Sequence, residues 1–125
     1  MFKVRFGIPE MEDLWNQLVS TKKAKTISKN DDKLFKLLVK AIQFLASDPK
    51  HPGLNSHEIR ALSNRFGIKV FQSYLQNKTP SAGRIFWVYG PNRKDITIIG
   101  LEPHPEDKKR GTYDRIKLSE LPNEE

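Results

Sequence analysis

Two strand-like stretches decide the fold of this chain: RIFWVY at residues 84–89 and ITIIGL at residues 96–101, joined by a turn that begins with Gly90 and Pro91. Bulky apolar and β-branched residues fill both stretches, as they do in strands that pack at the centre of a sheet. A short turn with Gly and Pro favours an antiparallel hairpin. The sheet is therefore predicted to be centred on these two strands.

Shorter apolar runs extend the predicted sheet. Residues 59–62 and 68–75 are separated from each other and from the central hairpin by Gly, Pro, Asn or Ser, which predicts two further antiparallel strands. Residues 2–6 alternate strictly between apolar and basic side chains, the pattern of a half-buried strand. The chain thus has an N-terminal strand and three to four antiparallel strands in its second half.

Two amphipathic helices are predicted between the first strand and the others. The first begins at Pro9, is acidic in its first turn and continues beyond Ser20, with apolar residues at helical spacing. The second has N-cap candidates at residues 30–32 and ends before Pro49. An antiparallel helical hairpin placed on one face of an antiparallel sheet is an α+β fold, in which we expect the helices to cover the Ile85 and Trp87 side and to leave the Arg84 side open. A further short helix is predicted over residues 112–118.

Length and composition limit the classes of function. The chain has 125 residues, a formal charge of +7 and no cysteine, which suits one domain over residues 1–118 with a frayed acidic tail at 119–125. Disulfides and thiolate metal sites are excluded, and no run approaches the ~20 apolar residues of a membrane helix, so we expect a cytoplasmic protein with no membrane partner. The basic excess favours an anionic partner, with nucleic acid, an acidic protein and a membrane surface left open by composition alone.

Two residues at the ends of the central strands predict phosphate chemistry. Arg84 begins one central strand and His104 lies just beyond the end of the other. Arginine binds phosphate oxygens through a planar fork of N–H donors, and imidazole titrates near neutral pH, where it serves as an acid or a base. The three histidines match no zinc spacing, so we expect no metal site.

Three segments together resemble the RelE/ParE superfamily of toxins from bacterial type II toxin–antitoxin modules: residues 48–59, the Gly-Arg-aliphatic-x-aromatic strand at 83–89, and the strand at 98–104 that ends in His104. The resemblance covers nearly the whole chain and implies a RelE/ParE-like fold. It also implies a ribosome-dependent, metal-independent messenger-RNA endonuclease that needs no cofactor. Its expected partners are the ribosome, messenger RNA and a cognate antitoxin.

The resemblance also implies roles for particular residues. Arg84 and His104 match catalytic positions, and Lys69 falls near a catalytic lysine; they would clamp the phosphate, transfer protons and add a point charge. Candidates for RNA binding are His57, Arg60, Lys108, Lys109 and Tyr113. The family's final strand often carries a tyrosine directly after its basic residue, whereas here the next tyrosine is Tyr113. A non-catalytic gyrase inhibitor and a basic RNA-binding module stay open as alternatives.

Overall fold

The computed structural model describes residues 1–7, 9–76 and 83–102, which form an α+β fold. The elements in chain order are β1 (Lys3–Phe6), α1 (Pro9–Ala24), α2 (Lys29–Ser47), one turn of 3₁₀ helix (Pro52–Leu54), β2 (His57–Glu58), α3 (Arg60–Phe66), β3 (Phe71–Tyr74), β4 (Arg84–Tyr89) and β5 (Asp95–Glu102). Within these residues, no helix is long and apolar enough to cross a membrane. The predictions of a helix at 112–118 and of a frayed tail at 119–125 lie outside the described residues.

The five strands form one sheet in the order β1-β5-β4-β3-β2. Strands β3, β4 and β5 pair antiparallel, as the sequence predicts, and β2, at residues where no strand was predicted, pairs antiparallel with β3. Strand β1 pairs parallel with β5, with Val4 opposite Ile96, so the sheet is mixed rather than purely antiparallel. The prediction of a central hairpin is confirmed, because β4 and β5 lie in the interior of the sheet.

Helices α1 and α2 cover one face of the sheet. Pro9 begins α1, as predicted. Helix α2 begins earlier than the predicted caps, because the Ser28 hydroxyl accepts a hydrogen bond from the Asp31 amide at 3.1 Å. The cluster buried between the helices and the sheet, called the first cluster, includes Met11, Leu14, Leu18, Leu38, Ala41, Leu45, Ile85, Trp87, Ile96, Ile98 and Leu101.

The other face of the sheet is covered by α3, and here two predictions are wrong. Residues 59–62 are not a strand, because α3 runs from Arg60 to Phe66 and ends at Gly67, whose φ of 75° suits a glycine. Four residues are too few to distinguish a helix from a strand by periodicity. The prediction that the Arg84 side of the sheet is open is also wrong. A second cluster is buried between this face and α3: Leu62, Val70, Phe86, Val88 and Ile99.

The third strand is shorter than predicted. The sequence predicts residues 68–75, but the turn after α3 includes Ile68, which is 37% exposed, and β3 is limited to Phe71–Tyr74. Within β3, side chains alternate between the two faces of the sheet. Phe71 stacks on Trp87 at 4.8 Å between ring centroids on the first-cluster face, whereas Gln72 points to the second-cluster face beside Phe86.

A buried hydrogen-bond chain anchors Trp87 in the first cluster. The Trp87 indole Nε1–H donates to Ser73 Oγ at 2.8 Å, and Ser73 Oγ lies 2.6 Å from Ser56 Oγ. Ser73 is fully buried and Trp87 is 1% exposed, so water cannot replace the hydroxyl.

We therefore predict that Ser73→Ala lowers the free energy of unfolding by about 1–3 kcal/mol, because it leaves the buried indole N–H without an acceptor. Urea unfolding followed by tryptophan fluorescence and by circular dichroism would measure it. Ser47→Ala, on the exposed end of α2, is the control and should change stability by less than about 0.5 kcal/mol. Equal stability of the two variants would contradict the importance of this chain of hydrogen bonds.

Candidate functional site

An irregularity in β5 places an acidic side chain beside Arg84. Phe86 is opposite Gly100 and Trp87 is opposite Ile98, so Ile99 is an extra residue and β5 bulges there. Without the bulge, Glu102 would share a face with Ile98 in the first cluster, because side chains alternate along a strand. The extra residue reverses the alternation, and Glu102 comes to lie opposite Arg84 on the second-cluster face.

Four side chains join across the sheet at this point, and we call them the polar row: His57, Gln72, Arg84 and Glu102. They come from the four successive strands β2, β3, β4 and β5. The Arg84 guanidinium donates from one terminal nitrogen to Glu102 Oε1 and from the other to Gln72 Oε1 at 3.2 Å. The Gln72 amide nitrogen lies 3.4 Å from His57 Nε2. The row is thus a continuous series of polar contacts.

The members of the row differ in burial, and His57 at its end is the most exposed. His57 is exposed, whereas Gln72 is 3% exposed and the Glu102 side chain 12% exposed. The Arg84 side chain keeps 27% of its surface accessible. The buried Gln72 amide and the nearly buried Glu102 carboxylate need fixed hydrogen-bond partners, and Arg84 donates to both. The guanidinium is therefore held in one orientation, in a side chain that is still partly accessible.

The His57 ring is oriented by contacts on both of its nitrogens. Nδ1 lies 3.1 Å from the Asn55 carbonyl oxygen, which can only accept, so this nitrogen carries the proton when the ring is neutral. Nε2 then accepts from the Gln72 amide. Tyr74, the strand partner of Arg84, stands edge-on to the imidazole at 6.5 Å between centroids. The second-cluster face thus presents an imidazole, a phenol and a guanidinium next to one another.

The structure brings together only part of the set predicted from sequence. Arg84 and His57 belong to the polar row. Lys69 is exposed and lies two residues before β3, whereas Arg84 is opposite Tyr74 at the other end of that strand. Arg60 is the exposed first residue of α3, not a strand residue. The predictions for His104, Lys108, Lys109 and Tyr113 fall outside the described residues.

Sequence reasoning missed Gln72 and Glu102. Gln72 looks like an ordinary polar position in a strand, and Glu102 directly follows the apolar run of β5. The available signal was Gly100, since a glycine inside a strand often marks a bulge. A bulge would have shifted the expected face of Glu102 onto that of Arg84.

Neither a metal-binding cluster among the described residues nor a similar known protein helps to interpret the polar row. Within the described residues, no group of three or more His, Asp or Glu side chains is placed to hold a metal ion. Comparisons of the chain with protein-family models, with curated proteins and with solved structures find no match. The chemistry of the polar row therefore has to be argued from its own geometry.

Arg84 and Glu102 should be energetically coupled. We expect Arg84→Met and Glu102→Leu each to destabilise the fold, because each leaves the other's charge without its partner in a poorly hydrated place. The double variant should be more stable than the sum of the two single effects predicts, with a coupling energy of about 1–2 kcal/mol.

Urea unfolding of wild type, both single variants and the double variant completes this cycle. A matched cycle on Lys36 and Asp32, an exposed ion pair of 3.3 Å on α2, should give a coupling energy below about 0.5 kcal/mol. Equal coupling in the two cycles would mean that the polar row is no different from a surface ion pair.

Proposed function

We propose that this chain is a toxin of the RelE/ParE type that cleaves messenger RNA on the ribosome without a metal ion and is neutralised by an antitoxin. The observation that supports the proposal most directly is the polar row, which sets a partly exposed arginine and an imidazole on one sheet face of a chain with a formal charge of +7. Arginine and imidazole are the side chains that phosphodiester cleavage at neutral pH uses best.

The proposed reaction is attack of an RNA 2′-hydroxyl on the adjacent phosphorus. A base removes the 2′ proton, the new P–O bond forms as the bond to the 5′ oxygen breaks, and an acid protonates that leaving oxygen. Negative charge accumulates on the non-bridging phosphate oxygens in between. A donor that is fixed before the reaction stabilises this charge without the cost of reorganising solvent.

Arg84 is the proposed donor. The guanidinium has five N–H groups. Its contacts with Gln72 and Glu102 leave other N–H groups for phosphate oxygens, and the side chain is partly exposed. Glu102 and Gln72 act as positioning residues, since they fix the plane of the guanidinium rather than meet the substrate.

His57 is the proposed proton-transfer group among the described residues. Its exposed ring lies on the same face as Arg84, and Gln72 contacts both side chains. The other described histidine, His51, caps the 3₁₀ turn and stacks on Phe44 of α2, away from this face. The resemblance implies His104 as a second proton-transfer group, two residues beyond Glu102.

The antitoxin in this proposal is a segment of acidic or amphipathic character. Opposite charges would steer it to this basic chain, and a disordered segment can cover a broad surface as it binds. A segment lying across the polar row would exclude RNA from Arg84. Inhibition would then require no change in the fold.

A basic RNA-binding module without nuclease activity is the second candidate, and one observation favours it. Arg84 already has a carboxylate partner in Glu102, so its charge is largely compensated before any RNA binds. In that case the row would be a structural network that ties together four strands. Variants of the row would then change stability and leave RNA intact.

Expression of the chain in bacteria should arrest growth and create new cleavage sites within translated messages. Arg84→Lys should reduce cleavage about 100-fold, because lysine keeps the charge beside Glu102 but loses the fixed fork. Arg93→Lys, in the exposed turn between β4 and β5, should cleave like wild type. Sequencing of RNA ends with purified ribosomes, with and without a chelator, measures both variants.

Circular dichroism of each variant shows whether the fold is kept. If growth stops and DNA supercoiling falls while messages stay intact, the gyrase-inhibitor alternative replaces this proposal. Intact messages with RNA still bound would support the non-catalytic module. Cleavage at the wild-type rate by Arg84→Lys would remove the arginine fork from the mechanism.

A further inference from the structure

The solvent side of α2 carries a straight line of positive charge. Lys29, Lys33, Lys36 and Lys40 are spaced by four, three and four residues, which places them on one side of the helix, and we call them the basic stripe. All four are exposed, and they lie opposite the buried side of α2, which carries Leu38, Ala41 and Leu45. At ~1.5 Å per residue the stripe is ~16 Å long.

The basic stripe is unfavourable for the helix that carries it. Like charges four residues apart repel each other, and Lys29–Lys33 and Lys36–Lys40 are two such pairs. Lys29 is the first residue of α2, next to the positive end of the helix dipole, and the last turn, where lysines would be favourable, has none. Helix stability therefore does not account for Lys29 and Lys33.

In the part of the chain that the structure describes, ion pairing compensates one stripe lysine, Lys36. Asp32 accepts from Lys22 of α1 at 2.6 Å and from Lys36 at 3.3 Å, and the hydrogen bond from Lys22 is the main cause that holds the pKa of Asp32 below its usual value. Within the described residues, neither Lys29 nor Lys33 contacts a carboxylate, and Lys40 is placed over the Phe44 ring at 5.8 Å. The line of charge is thus available to an external anion.

We propose that the basic stripe binds the phosphate backbone of double-helical RNA. A protein interface is usually built around buried apolar anchors, and α2 has no large apolar residue that is exposed. A regular line of lysines instead matches a partner with regularly repeated charges, and binding gains free energy by releasing the counterions condensed on that partner. The choice of RNA over DNA rests on the proposed function.

The stripe and the polar row lie on opposite sides of the molecule. Helix α2 covers the first-cluster face of the sheet, whereas Arg84 and Glu102 are on the second-cluster face. One RNA segment bound at the stripe therefore leaves the polar row open to another. The stripe would anchor the chain on structured RNA while a single strand is presented to the row.

Fluorescence anisotropy with a labelled 12-base-pair RNA duplex, over a series of salt concentrations, tests this proposal. Replacing all four stripe lysines with Gln should weaken binding at least tenfold at low salt and flatten the slope of log K against log salt by about 3 to 4, since each lost phosphate contact removes ~0.9. The matched control replaces Lys3, Lys50, Arg93 and Lys94, four exposed cations outside α2, with Gln. The control should change the slope by less than about 1.

Gln has nearly the helix propensity of Lys, and the relief of lysine repulsion offsets the loss of the Asp32–Lys36 pair, so the stripe variant should be about as heat-stable as wild type. Equal loss of binding in the two variants would show that net charge, not the stripe, is responsible, and would overturn the proposal. So would tighter binding of an acidic peptide or a DNA duplex than of the RNA duplex. The anisotropy measurement requires neither ribosomes nor cleavage, so a failure of the proposed nuclease activity would be seen separately from a failure of duplex binding.

Discussion

The fold depends on one constraint: the two central strands are apolar on both faces. Ile85 and Trp87 of β4 are buried in the first cluster, and Phe86 and Val88 are buried in the second. Burial of one such side chain contributes about 1.5–3 kcal/mol, so neither face can be left in water. The helical hairpin α1–α2 covers one face, and the short α3 must therefore cover the other. The remaining strands extend the sheet at its edges.

A polar site forms at the end of this apolar sheet because of the bulge in β5. The bulge at Ile99 keeps Leu101 in the first cluster while it turns Glu102 toward Arg84. The polar row then crosses β2 to β5 next to the second cluster. The Arg84 Cζ atom is 5.9 Å from the centroid of the Phe86 ring in that cluster. Partial burial makes the hydrogen bonds of the row specific, because an unpaired member would cost more than the bond itself.

Most elements were predictable from the sequence, each from a clear local signal. Helix α1 follows from a period of 3.6, β1 from strict alternation, β4 and β5 from apolar runs of six residues, and the end of α2 from Pro49. The seven residues of α3 give only Leu62 and Phe66 as a helical pair, so its assignment as a strand was wrong. At the site, Arg84 was recognisable because it begins a central strand. Its partners Glu102 and Gln72 were not, since strand register and a one-residue bulge decide which face each side chain reaches.

The two charged features of the chain differ in what the fold gains from them. In the polar row, Arg84 is compensated by Glu102, and both are held by the packing around them. In the basic stripe, Lys29 and Lys33 repel each other at the wrong end of a helix dipole, and the fold gains nothing from them. A compensated charge is explained by stability alone. Stability does not explain Lys29 and Lys33, so of the two features the stripe is the one that we attribute to a partner outside the chain.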